Sequence, residues 1–263
     1  MSIVRKSIII ILLFVSIFCK QVLAVPLNNK IMNCDRDELY VSHGDKKVVF
    51  LTFDDGPGHS SSKRILSVLQ QKNVKASFFI VGENIRNDTV EVVEGLYENG
   101  MDIYPHCYDH HYETLYKSED SYFNDFNKYV NSTKGLIYRN KRIFVRMPGG
   151  SLNTYCRPDI LKNIKNRLEK SDIDYIDWNV SIGDAVGSNI SKEQLIGNVK
   201  KQGDVYRVAV VLMHDADHKS STIDALPEII DFYKEKGYRF KSLSEMTTQE
   251  YEYLKKVRVI NKK

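Results

Sequence analysis

The chain has 263 residues, 42% hydrophobic and 27% charged, with four cysteines and a formal net charge of +4. One α/β domain of that length buries a sizeable core, whereas two domains would each be thin. Setting aside residues 1–24 with Arg5, Lys6 and Lys20 leaves a charge of +1, so there is no electrostatic case for a nucleic-acid binder.

In chain order, residues 1–24 open with Arg5 and Lys6, continue as an apolar run from Ser7 to Phe18 and end in Val22-Leu23-Ala24. That is the pattern of a secretory signal peptide, with an uncleaved N-terminal anchor as the alternative. The expected location is therefore secreted, or associated with cell wall or membrane outside the cytoplasm, with membrane contact only through that segment. Residues 25–45 read as a lead-in segment, 46–245 as the domain and 246–263 as a charged tail forming a surface helix. Within the domain, Val48–Phe53 reads as a buried strand that runs into Asp54-Asp55-Gly56-Pro57, two carboxylates on a turn. A helix over 61–69 follows, with serines available to cap it, then strand 75–82, a helix over 89–99 closed by Gly100, and strand 101–105. Next come a helix over 118–136, strand 143–146, a helix over 158–170 with Pro158 in its first turn, strand 173–180 and a helix over 192–201. The fully apolar strand 208–213, a helix over 223–236 and strand 238–243 complete the pattern. Such alternation means a parallel sheet, either closed as a (β/α) barrel or open and doubly wound.

Polar residues gather where the strands run out: Asp54 and Asp55, His106 and His110, Arg146, Asp177 and Trp178, His214 and Asp215. In parallel α/β folds those carboxyl ends share the face on which active sites form. His106 and His110, four apart, can be aimed at one point by a helical turn or a tight loop, with His111 competing for the second place. With Asp55 they offer two nitrogens and an oxygen, an open site suited to Zn, Co or Mn. Arg146 also reads as a structural salt-bridge partner, which is compatible with a catalytic role; His214, after six apolar residues, also reads as a core histidine, but its place at a strand end favours function. His43, His59 and His218 read as surface histidines. Cys34, Cys107 and Cys156 are odd in number, so they form at most one bridge and no disulfide framework. Cys107, adjacent to His106, points away from the other ligands and is expected not to bind metal.

Together these stretches resemble the polysaccharide deacetylase family, the NodB-homology domain of carbohydrate esterase family four. Thr52-Phe53-Asp54-Asp55-Gly56-Pro57 matches the first motif and His106-x-x-x-His110 the second; Arg146-x-Pro148-x-Gly150, Asp177-Trp178 and Leu212-x-His214 resemble the third to fifth. The resemblance implies a distorted (β/α) barrel of seven or eight strands in a single domain. It also implies divalent-metal hydrolysis of N- or O-acetyl groups on a glycan such as peptidoglycan, chitin oligomers or acetylxylan. By the same resemblance Asp55, His106 and His110 hold the metal, Asp54 is the general base and Arg146 orients it. His214, steadied by Asp177, protonates the leaving amine, Gly149 donates its amide to the oxyanion, and Trp178 and Leu212 wall the acetyl pocket. Two departures stand out. Pro105 and Cys107 flank His106 where the family carries an amide and a hydroxyl, and Gly149 stands where it carries an aromatic residue. The alternatives are a glycan-binding protein of this fold that lost turnover and a hydrolase of small amides or imides.

Overall fold

A computed structural model describes residues 47–133, 142–187 and 190–263; the signal segment, the lead-in and residues 134–136 of the expected third helix lie outside them. Among the described residues eight strands alternate with helices, save that β5 runs directly to β6: β1 (Val48–Asp54), α1 (Ser61–Gln71), β2 (Ser77–Val81), α2 (Val90–Glu98), β3 (Asp102–Cys107), α3 (Tyr112–Leu115), α4 (Glu119–Ser132), β4 (Phe144–Val145), α5 (Pro158–Lys170), β5 (Asp174–Tyr175), β6 (Val180–Ser181), α6 (Lys192–Gln202), β7 (Val208–His214), α7 (Ser220–Glu235), β8 (Arg239–Phe240) and α8 (Thr248–Lys256). Among the described strands every pairing is parallel, in the order β3-β2-β1-β7-β6, with β8 added to the start of β1 and β4-β5 forming a separate pair. The fold is the expected α/β architecture. Its strands follow barrel order, but the sheet is not continuous around β4 and β5.

All seven residues of β1 are buried, as a strand covered on both faces requires. Val49, Leu51 and Phe53 join the main core with Ile65, Leu69, Leu226 and Ile229 of the surrounding helices. Asp54 therefore shares the opposite face with Phe50 and Thr52. Phe79, Tyr104 and Phe144 form a chain of ring contacts at 5.4 and 5.7 Å that ties β4 to β2 and β3. One backbone bond, from the Arg146 amide to the Pro105 carbonyl at 3.2 Å, crosses the same seam.

Three expectations change. Strand 173–180 is split into β5 and β6, because the carbonyls of Ile176 and Asp177 accept from the Arg146 guanidinium instead of a neighbouring strand. The serines do not cap α1; the carboxylate of Asp217 accepts the amides of His59, Ser60 and Ser61. The segment 246–263 carries the expected surface helix but is anchored to the domain. It carries α8, whose Leu254 is fully buried, and then Val259 and Ile260, also buried. Ile260 bridges antiparallel to Ile176, and the Asp177 amide donates to the Val259 carbonyl at 2.8 Å, so this segment occupies the edge between β5 and β6.

Candidate active site

Asp54 ends β1 as a buried carboxylate beneath the mouth of the strand array. Arg146, fully buried, donates from Nη1 to Asp54 Oδ1 at 2.9 Å and to Thr52 Oγ1 at 2.7 Å. Its other nitrogens reach the carbonyls of Ile176 and Asp177, both at 3.1 Å, and the group lies 4.2 Å from the Phe79 ring centre. A buried guanidinium without such partners would be strongly destabilising; here it is fixed on two sides and faces one anion.

Asp55 leaves the strand at a φ of +77°, a left-handed conformation uncommon for a residue with a side chain. That twist turns its carboxylate away from Asp54, to 3.4 Å from Nε2 of both His106 and His110. His106 Nδ1 lies 2.7 Å from the Arg146 carbonyl. A carbonyl only accepts, so Nδ1 carries a proton; Nε2 is the nitrogen turned to Asp55, donating to the carboxylate when protonated and free to ligate a cation when it is not. His110 comes to the same place through a bend in which the amides of Tyr108 and Asp109 donate to Asp125 of α4, at 2.7 and 2.9 Å. That carboxylate braces the loop between His106 and His110. His111 pairs instead with Asp109 at the surface, which leaves His110 as the residue beside Asp55.

Ligand atoms of Asp55, His106 and His110 all lie within 4.8 Å of one another. The residues fit a divalent cation: a carboxylate and two imidazole nitrogens converge, one imidazole is held in the ligating tautomer from behind, and one side of the set is half-exposed. Burial raises the affinity of Asp55 for its proton, but the hydrogen bond and charge of His106, with His214 and His110, outweigh it and hold the group well below the usual carboxylate range. Cys107 is buried on the other side of β3 among Val81, Tyr116, Tyr122 and Val145, a free thiol outside the ligand set. Cys156 is likewise free and buried.

His214 ends β7, in register with Asp54 of β1. Its orienting partner is Asp184 and not Asp177. Asp184 accepts from His214 Nδ1 at 2.8 Å, from the His214 amide at 2.8 Å and from Thr222 Oγ1 at 2.8 Å. Asp177 is engaged elsewhere, accepting the Ser151 amide at 2.8 Å and its hydroxyl at 2.7 Å, so it secures the turn after Arg146. The chain explains the correction: Asp177 lies where the strand is broken, whereas Asp184 follows β6, at the carboxyl-end face. Burial lowers the pKa of His214, but the hydrogen bond and charge of Asp184, then the charges of Asp54 and Asp55, raise it to about 9.

The remaining expected residues lie close by. Gly149 and Gly150 take φ values of +76° and +83°, a turn that side chains would strain. The ring of half-buried Trp178 lies beside Gly150, and Leu212 is buried on β7. His59 and His218 are exposed as expected. Asp215, next to His214, is a strand-end residue in the sequence. Its carboxyl is fully buried under Gly56, leaving no room for a β-carbon there, and it accepts from Ser62. Burial, and then the charges of Asp55 and Asp54, push it up to about 7.

The sequence and structure match known proteins. The family model described as polysaccharide deacetylase covers residues 42–166. A peptidoglycan-N-acetylglucosamine deacetylase of Bacillus cereus is 34% identical over 206 residues, 77% of this chain and 69% of that protein. A bifunctional xylanase/deacetylase of Pseudobutyrivibrio xylanivorans is 29% identical over 205 residues, of which this chain spans only 31% of the length. Among solved structures, the catalytic domain of a peptidoglycan N-acetylglucosamine deacetylase from Eubacterium rectale superimposes with a TM-score of 0.69 at 33% identity, covering 81% of this chain and 94% of that one. These matches give the class, a hydrolase of carbon-nitrogen bonds other than peptide bonds. The chain belongs to the polysaccharide deacetylase family, carbohydrate esterase family four.

Proposed function

We propose that this protein is a metal-dependent deacetylase acting on N-acetyl, or O-acetyl, groups of an extracellular glycan. The preferred substrate is peptidoglycan or another N-acetylglucosamine polymer, with acetylxylan as the further candidate. One observation carries this reading: Asp54 held by Arg146 and His214 held by Asp184 stand side by side in register, next to the Asp55, His106 and His110 set. The names of the relatives above support the choice of glycan. The signal-like residues 1–24 support export.

Asp55, His106 and His110 would hold a Zn, Co or Mn ion, which when bound supplies Lewis acidity toward water and the acetyl oxygen. Asp54 accepts the proton of the attacking water, and Arg146 aims it through the bond from Nη1. The Gly149 amide donates to the oxygen that gains charge, and Trp178 with Leu212 encloses the acetyl methyl. His214, protonated at neutral pH, delivers a proton to the departing amine through Nε2, because Nδ1 is committed to Asp184. Asp177 acts at a distance, through the Ser151 turn.

Acetate release from peptidoglycan, chitin oligomers and acetylxylan tests the reading. Chelation should abolish it and Zn, Co or Mn restore it, with a rise in thermal midpoint on loading because the cation binds only the folded site. Full activity of a preparation shown by elemental analysis to be metal-free would overturn it.

A further inference from the structure

The turn at Gly149 and Gly150 lies between two aromatic rings. A β-carbon on Gly150 would stand 3.1 Å from the Trp178 ring, and one on Gly149 would meet two Tyr155 ring carbons at 3.3 and 3.4 Å. The volume next to position 149 is therefore shared by the Asn153 β-carbon, at 3.1 Å, and an aromatic ring carried six residues further on. Tyr155 stacks on Tyr112, centroids 4.1 Å apart and planes 1° from parallel, and Tyr112 meets His110 edge to face at 5.1 Å. These three rings step outward from a candidate metal ligand to solvent.

Tyr155 is 63% exposed. One of its faces is covered by Tyr112 and one edge by Gly149, so its accessible surface is chiefly the other face. A single surface tyrosine would need no explanation. This ring differs, because it is stacked on Tyr112 and its edge abuts the turn at Gly149. A flat, immobilised apolar face beside a polar site suits a pyranose, whose C–H face covers the ring while its hydroxyls stay in water.

We propose that Tyr155, backed by Tyr112, is the sugar-stacking platform of this site and takes over the contact that a side chain at position 149 would make. The proposal rests on the glycan-deacetylase reading and adds the residue that seats the sugar ring. Binding of two probes, an N-acetylglucosamine tetramer and an acetylated xylo-oligomer, is measured by calorimetry on zinc-loaded Asp54→Asn protein carrying Tyr155, Tyr155→Ala or Tyr155→Phe. The kcat and KM values are measured in the wild-type background with the same probes and with an aliphatic acetate ester that has no sugar. For at least one probe, Tyr155→Ala weakens binding about tenfold, about 1.4 kcal/mol; KM follows, kcat is largely kept, and the loss exceeds that on the ester. Tyr155→Phe behaves as Tyr155. An affinity change under twofold in Tyr155→Ala, equal losses in the alanine and phenylalanine variants, or no oligomer binding by the Tyr155 protein overturns the platform. Absence of acetate release by the wild type overturns the deacetylase reading instead, and the calorimetry still decides on Tyr155.

Discussion

Asp54 and Asp55 are adjacent, yet one turns inward against Arg146 and the other, at a φ of +77°, outward to His106 and His110. That division predicts the behaviour of Asp54→Asn. The amide cannot take a proton from water, so kcat should fall by ~10²- to 10⁴-fold, while zinc affinity, measured by titration of the apoprotein, stays near wild type. The second residue-scale prediction concerns His214. Its folded-state pKa is raised to about 9, so it carries its proton below that pH and loses it above, and activity that needs a protonated acid should fall on the basic side near 9. Asp184→Asn removes the charge responsible, so the basic limb of the kcat/KM profile should move down toward 6.5, the ordinary histidine value. The same change at Asp177 should leave that limb in place, because Asp177 bonds to Ser151.

At the scale of one element, β3 explains how His106 and Cys107 are neighbours in the chain without sharing a site. Alternation along the strand sends His106 to the acid cluster and Cys107 into the apolar cluster with Val81 and Tyr122. Cys107→Ser should therefore leave metal affinity within about tenfold of wild type, about 1.4 kcal/mol. Its hydroxyl would be buried among apolar groups, at a cost of about 1–3 kcal/mol in stability. Metal titration and denaturant unfolding separate the two effects; a larger loss of metal affinity would place the thiol in the ligand set.

For the whole molecule, the interrupted strand array depends on its last residues. Leu254 anchors α8, and Val259 and Ile260 then take the edge beside Ile176 and Asp177, whose carbonyls hold Arg146. Leu254→Ala should cost about 2–5 kcal/mol through the cavity it leaves, seen as a lower denaturation midpoint. An unchanged midpoint would mean that the terminal segment is dispensable to the fold. Because it supports the carbonyls that bind Arg146, its loosening should also lower kcat.

The sequence alone was sufficient for what is local or periodic. Apolar runs ending in Asp54, His106, Arg146 and His214 identified buried parallel strands with chemistry at their carboxyl ends, since burial and side-chain alternation are written residue by residue. The spacing of His106 and His110 left His111 as a rival, and only the bend braced by Asp125 put His110 beside Asp55. Asp184 could not be chosen over Asp177, because only the pairing of β6 with β7 sets Asp184 against His214. Tyr155, in a loop without periodic pattern, acquires its meaning from Tyr112 and Gly149, which are near it only in the fold. The terminal residues look charged in sequence, and their few apolar side chains are buried because a gap between β5 and β6 exists to receive them. Which partner a buried polar or apolar group meets depends on distant chain segments brought together in space, and that the tertiary structure alone decides.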